Sequence, residues 1–212
     1  MAVTRPETGQ HAMELTEALR RRRMVRAFDG RPVPPDVLGR VLAQAVRVPS
    51  AGNTQGLDLV VLEGPETARY WDVSLPEPRR GAFAWPGLLL APVLVIPVGD
   101  PSAYVRRYAE PGARLVGLGD GADRWGVPYW YVDTAFAAMV ALLAAVDEGL
   151  GACFFGQFER EVALKEALGI PADRTPIGTI ALGWADQSAD RPGGSSRRPR
   201  RTLDAVVHRG GW

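Results

Sequence analysis

The stretch YWYVDTAFAAMVALLAAVDEGLG, residues 129–151, constrains the fold more than any other part of the chain. It is rich in alanine and leucine, the strongest helix formers, and it closes on Gly149 and Gly151. Apolar residues occupy most of its circumference, so a helix here cannot rest on a surface with one wide wet face. Asp133, Asp147 and Glu148 argue against a membrane span. The expectation is a long helix buried in a domain. Its alanines leave room for another helix, or a second subunit, to come close.

The remaining elements follow from periodicity and punctuation. Residues 1–12 read as a flexible lead, and 13–212 as one domain. MELTEALRRRRM has helical spacing and ends in cations, which suit a helix C-terminus. After the turn GRPVPP, the stripe of Val37, Leu38, Val41, Leu42 and Ala45 predicts an amphipathic helix over 36–46. LDLVVLE, APVLVIPVG, ACFFG and PIGTIALGWA read as strands, with APVLVIPVG apolar enough to be covered on both faces. PETARYWDV and REVALKEALG read as short helices, the second capped by Gly169 and stopped by Pro171. Residues 100–128 break the pattern and are expected to form a lid-like excursion with one helix, SAYVRRYA. Residues 186–212 read as a polar arm whose end, TLDAVVHRGGW, carries apolar residues worth burying. The order lacks a regular strand–helix alternation. It predicts a mixed α/β or α+β domain rather than a doubly wound nucleotide fold.

Composition excludes several chemistries. The net charge of +1 gives no bulk attraction to nucleic acid or to a membrane. One cysteine, Cys153, rules out an internal disulfide. The first residues lack the apolar core of a secretory signal, and a cytoplasmic protein is expected. With only His11 and His208, a hydrolytic triad has almost nothing to build on. No His, Cys or carboxylate cluster suggests a metal. GLGDGA, residues 117–122, loosely matches a dinucleotide fingerprint, but no clear strand precedes it and no helix follows. A chain this poor in acid–base groups, and with Lys165 as its one lysine among many arginines, fits chemistry carried by a bound cofactor.

Three segments then stand out. RRRRMVRAF (20–28) and RRPRR (197–201) are candidate phosphate grips, because guanidinium meets phosphate with two parallel hydrogen bonds. Read singly, each is equally a solvated charge run. The third, VPSAGNTQG (48–56), concentrates small hydrogen-bonding groups just ahead of a strand.

In this order the segments resemble the FMN-dependent nitroreductase family, from Leu15 to about Val207. RRMVRAF is similar to the family's Arg-Arg-Ser-x-Arg-x-Phe signature, which implies that Arg22, Arg23, Met24 and Arg26 bind the cofactor. Methionine replaces the usual serine, leaving only the backbone of Met24 as a polar contact. PSAGNTQG resembles Pro-Ser-x-x-Asn-x-Gln-Pro-Trp, which implies that Pro49, Ser50, Ala51, Asn53 and Gln55 touch flavin held by the other subunit of a dimer. Gly56-Leu57 stands where the family has Pro-Trp. GLGACFFGQF is similar to the Gly-rich turn beside the flavin ring, which implies Phe155, Gly156 and Gln157 as neighbours. RRPRRTLDAVV resembles the near-terminal Lys-x-Arg, which implies Arg198 and Arg200 at the phosphate.

The resemblance implies a nitroreductase-like α+β fold: a mostly antiparallel sheet flanked by helices, with the long helix at a homodimer interface. It implies FMN as cofactor and NAD(P)H as donor, with hydride passed in ping-pong fashion to a small electron-poor acceptor such as a nitroaromatic, quinone or enone. Tyr104, Tyr108, Trp125 and Tyr129 are expected on the substrate side, as stacking partners or as an apolar lid. Two alternatives stay open: an oxidase or desaturase of the same superfamily, and a flavin-binding module without turnover.

Overall fold

The computed structural model describes residues 13–112, 117–157 and 160–212. The lead 1–12 and residues 113–116 of the excursion therefore lie outside the described residues. The helices are α1 (Leu15–Arg21), α2 (Pro35–Ala45), α3 (Thr67–Ser74), α4 (Glu77–Arg80), α5 (Pro101–Ala109), α6 (Tyr129–Asp147) and α7 (Glu161–Leu168). The strands are β1 (Leu57–Glu63), β2 (Val93–Gly99), β3 (Gly151–Phe155), β4 (Thr175–Pro176) and β5 (Thr179–Gly183). The expected α+β architecture is the observed one. All five strands pair antiparallel, in the order β1-β2-β5-β3, with β4 on the far end of β2.

Strand β2 is the centre, buried at every residue. Alternation sends its side chains to two separate cores. Val93 and Val95 face α2 and α6, together with Val41, Ala45, Ala138, Ala141 and Leu142. Leu94, Ile96 and Val98 face the opposite layer with Tyr70, Trp71 and Leu164 of α3 and α7. A proline inside such a strand removes a ladder donor. Pro97 is tolerated because the ladder on that side is already broken: β5 pairs with 93–95 and β4 with 98–99, and in between the Pro97 carbonyl accepts from Ile177 N–H at 3.1 Å without a donor being asked of Pro97. At the break the chain makes a sharp passage at Gly178, with φ 148°. A β-carbon there would meet the Phe155 carbonyl at 2.7 Å, so β3 and β5 close up only because glycine stands at this point.

The long helix does what its composition predicts. It is long and apolar enough to cross a membrane, yet half of it is buried against the rest of the chain. Gly99 marks its close approach to β2, because a β-carbon at Gly99 would lie 2.7 Å from the Trp130 carbonyl oxygen. The arm departs from expectation. Leu203, Val206, Val207 and Trp212 stay exposed, the last completely, and pack against none of the described core. Polar sequence between Asp186 and Arg201 carries the terminal residues away from both core layers. Pro76 and Pro78 additionally start the one-turn helix α4, which its four residues were too few to announce.

Two substitutions test this packing by urea denaturation. Gly99→Ala should cost about 1–3 kcal/mol, the usual penalty for overpacking against backbone. Gly39→Ala, on the open flank of α2 with nothing within 4 Å, should instead stabilise by roughly 0.5–1 kcal/mol.

Candidate functional site

Residues 22–29 run beside the sheet edge. Val25 N–H donates to the Ala152 carbonyl at 2.9 Å, and Phe28 N–H to the Gly87 carbonyl at 3.1 Å. Val25, Ala27 and Phe28 are buried by this docking, while Arg22, Met24 and Arg26 are left half-buried. The arm returns to the same place. Asp186 N–H donates to the Ala27 carbonyl at 3.0 Å, and Asp190 Oδ1 accepts from Arg26 N–H at 2.6 Å and Ala27 N–H at 3.2 Å. The Asp190 carboxylate also pairs with the Arg23 guanidinium.

The two chain ends enclose a cavity of about 440 Å³ lined by Arg22, Arg23, Met24, Arg26, Arg198 and Arg200, with Pro192, Gly193 and Ser196. All six residues from the two basic segments that sequence reading selected thus meet at one place. Their charges are not equally free. Arg20 and Arg21 pair with Glu17 on α1 and point elsewhere. Glu17, gripped by both, is held at a pKa of about 2. Arg23 is engaged by Asp190, so Arg22, Arg198 and Arg200 carry most of the available charge. Met24 uses more than its backbone, since its sulfur accepts from Phe154 N–H at 3.4 Å.

Arg26 lies at the boundary of a second cavity. Its guanidinium sits 5.1 Å from the Trp85 ring centroid and donates to the Met24 carbonyl at 3.1 Å. A β-carbon at Gly193 would approach it to 3.2 Å, so the arm lies flat over it. Beyond Arg26 opens a cavity of about 360 Å³ walled by Trp71, Phe83, Trp85, Phe155, Gly156 and Gln157. Trp71 and Phe155 stack there, 5.9 Å apart and 10° from parallel. Four polar atoms of residues in this wall, Trp71 Nε1, Ser74 Oγ, Gln157 Oε1 and Arg160 Nε, are buried with no hydrogen-bond partner among the described residues. Tyr70, in the same wall, has its hydroxyl pushed up to about 12 by burial and stays neutral at physiological pH. Burial likewise pushes up the Cys153 thiol.

The remaining expected residues lie elsewhere. Pro49, Ser50, Ala51, Asn53 and Gln55 line neither cavity. Their loop is stapled to α6 and α5: Asp133 Oδ2 accepts from Ala51 N–H and from the Tyr104 hydroxyl, both at 2.8 Å, and Arg107 donates to the Gly52 carbonyl at 2.8 Å. Asn53 and Gln55 are held at positive φ, 52° and 55°, a strained backbone fixed by these contacts and by Ser50 Oγ on Gln55 N–H. Tyr104 and Trp125, expected on the substrate side, are interior side chains, 1% and 6% exposed, packed edge to face with Trp130 and each other. Burial, seconded by Asp133, drives the Tyr104 hydroxyl well above its usual range. Tyr108 and Tyr129 keep accessible surface at the rim of that cluster.

Sequence reading missed Asp190, Trp71 and Trp85. Asp190 sits in a polar tail among residues of the same kind, Trp71 lies in a stretch that reads only as a short helix, and Trp85 falls between the expected elements. Asp190→Ala should strip the partner from two part-buried backbone N–H groups. A loss of about 1–3 kcal/mol in urea denaturation is expected, with faster proteolytic trimming of the arm than in the unsubstituted chain.

With this geometry in hand, comparison with known proteins is specific. The sequence model of the Nitroreductase family matches residues 19–184. The chain is 30% identical to a 4-nitrobenzoate reductase of Nocardioides sp. (strain LMS-CY), covering 97% of this chain and 94% of that protein. It is 25% identical to a putative NADH dehydrogenase/NAD(P)H nitroreductase of Archaeoglobus fulgidus, over 80% of this chain and 84% of the relative. Among solved structures, an FMN-dependent nitroreductase from Clostridium difficile R20291 superposes with a TM-score of 0.65 at 18% identity, covering 93% of this chain and 100% of the other. A nitroreductase family protein from Clostridium novyi NT gives 0.64 at 24% identity, covering 85% and 89%. The chain belongs to the nitroreductase family of oxidoreductases.

Proposed function

We propose that the chain binds FMN and uses NAD(P)H to reduce a small electron-poor acceptor, a nitroaromatic, quinone or enone. The observation that carries the reading is the pair of cavities meeting at Arg26, one ringed by arginine and one walled by aromatic rings. The residues fit the cofactor on their own chemistry. A phosphate monoester needs guanidinium donors, which Arg22, Arg198 and Arg200 supply. A flat heteroaromatic ring with both acceptors and a donor on its edge needs an apolar slot with a few polar atoms. Trp71 Nε1 and Gln157 Oε1 are such atoms, buried and without partners among the described residues. When bound, FMN supplies the hydride relay between nicotinamide and acceptor.

The protein's part is orientation and exclusion of water. Arginine neutralises the phosphate and sets the register of the ring relative to it. Gly156 adds no side chain to the wall at the ring, so a donor or acceptor can approach closely. The aromatic wall keeps the slot dry, which strengthens every polar contact within it. No acid or base is required on the protein, in keeping with the scarcity of histidine.

The unit of function in this reading is a homodimer with FMN between subunits. The loop 49–55 supports it, since its strained, stapled backbone lines neither cavity of its own chain and is available to a neighbour's. So do the exposed Phe136 and Met139 on α6, and Val206, Val207 and Trp212 on the arm. The acceptor class draws on the relative named for 4-nitrobenzoate, and the nicotinamide donor on the Archaeoglobus relative. Use of NAD(P)H fits the cytoplasmic location expected from the sequence.

The purified chain should be yellow, and its flavin absorbance should bleach anaerobically with NADH or NADPH and return on adding a nitroaromatic. A colourless chain that cannot be reconstituted with FMN would end the reading. Arg22→Ala and Arg200→Ala should each weaken FMN binding by about 1.5 kcal/mol or more, roughly tenfold, in a fluorescence titration. Unchanged affinity in both would remove the phosphate from this cavity.

A further inference from the structure

The aromatic cavity carries more positive charge than a bound flavin uses. Three arginines line it, Arg26, Arg79 and Arg160, and no Asp or Glu does so among the described residues. Arg26 is shared with the basic cavity, and its guanidinium is already engaged by the Met24 carbonyl and the Trp85 ring. Arg79 and Arg160 line the aromatic cavity alone. Arg79 is an exposed residue of α4, placed there by its N–H on the Pro76 carbonyl at 2.8 Å. Its neighbour Arg80 is compensated, pairing with Asp72 at 2.7 Å and donating to the Leu75 carbonyl at 3.0 Å. No carboxylate among the described residues does the same for Arg79. Arg160 stands at the start of α7, tied to Gln157 by its N–H on that residue's carbonyl at 3.0 Å. It is half-buried, and its Nε is enclosed without a partner among the described residues. The enclosed Nε is out of a ligand's reach; it marks a guanidinium seated in the wall, and the terminal Nη groups are the donors a ligand can meet.

We infer that Arg160 and Arg79 are specificity-determining residues that select an aromatic acid as acceptor, a flat ring bearing a carboxylate. The inference rests on the flavin reading and names the class of acceptor within it. FMN does not account for this charge. Its phosphate belongs with Arg22, Arg198 and Arg200 in the other cavity, and its oxidised ring is neutral. A carboxylate matches guanidinium geometry, with two parallel hydrogen bonds from one side chain. The ring that carries it meets the apolar faces of Trp71, Phe83 and Trp85. Beside such walls a charge is screened less than in open water, so the two guanidiniums draw an anion in and hold it. A neutral ring of the same shape gains nothing from them. The nicotinamide donor also brings anionic groups, its phosphates, but these lie many bonds from the ring that reacts. Arg160 is sunk in the wall of the cavity where the rings themselves meet, which suits a charge borne directly on the ring.

The test uses the full chain loaded with FMN. Benzoate and benzamide, alike in shape and different in charge, are titrated as unreactive ligands and read by their perturbation of the flavin absorbance. The unsubstituted chain should bind benzoate at least about tenfold more tightly, the scale of one charge-assisted hydrogen bond. The ratio should fall in Arg160→Gln and in Arg79→Ala, and to within about twofold in the variant carrying both, where no such bond is left. In turnover the KM for 4-nitrobenzoate should rise in the same variants, and that for 4-nitrobenzamide should not follow it. Arg79→Ala lies at an exposed position, so the test stands even if Arg160→Gln fails to fold. Equal or tighter binding of benzamide by the unsubstituted chain overturns the inference while leaving FMN binding intact. So does a ratio that survives in the double variant, because the carboxylate is then held by other groups. Variants that slow anaerobic bleaching by NADPH yet keep the ratio assign the arginines to the donor's phosphates and equally overturn it. Absence of FMN binding altogether is the separate result that ends the flavin reading, and this inference with it.

Discussion

The Asp190 carboxylate ties together two parts of the chain 164 residues apart, and the site depends on that tie. Backbone N–H groups of Arg26 and Ala27 point out from the sheet edge with no strand to receive them. One carboxylate oxygen accepts both, and the same carboxylate takes up Arg23. The tie brings the arm across Arg26 and fixes where Pro192 and Gly193 lie. It also decides how the basic cavity is charged. Without an internal anion, every arginine here would repel its neighbours at short range. With one, Arg23 is compensated in place, and its backbone neighbours are held still.

The sheet supplies the other half of the arrangement through an irregularity rather than through its regular ladder. Pro97 cannot donate, so β4 and β5 are separated opposite it, and the chain between them passes through Gly178. That passage presents the Gly178 carbonyl and the Thr179 hydroxyl side by side to Gln157. A continuous strand would have spent the same carbonyl on its neighbour. The direction of one amide in the cavity wall therefore traces back to a proline in the most buried strand of the molecule.

How much of this was legible in the sequence depends on distance along the chain. The strands LDLVVLE and APVLVIPVG were readable because their burial is recorded in consecutive residues, as was α6 from its alanines and closing glycine. The two basic segments were readable as candidates, but not their division of labour. Nothing in RRRR says that Arg20 and Arg21 turn to Glu17, three and four residues back, while Arg23 turns to Asp190. Tyr104 and Trp125 show a different limit, since the expectation left them as stacking partners or an apolar lid and the structure shows them interior. Aromatic residues in a glycine-rich, irregular stretch look like ligand contacts, because the pattern that would reveal burial is missing. They are in fact the small core that gives this stretch its own stability, completed by the buried Asp133.

That small core also explains why strain can be held in the loop before β1. Left-handed Asn53 and Gln55 are costly outside glycine, and an exposed loop would relax them. Asp133 prevents this by holding Ala51 N–H from its place on α6. Tyr104 supplies the second hydrogen bond that an unpaired buried carboxylate needs, and Arg107 fixes the Gly52 carbonyl from the other side. The loop's backbone is thus tied to α5 and α6, even though its side chains are mostly exposed. A surface loop whose exposed residues are held this firmly is suited to meet something outside its own chain. The long apolar helix therefore serves two ends: one face fills the core beneath the sheet, and its first turns fix the shape of a surface loop.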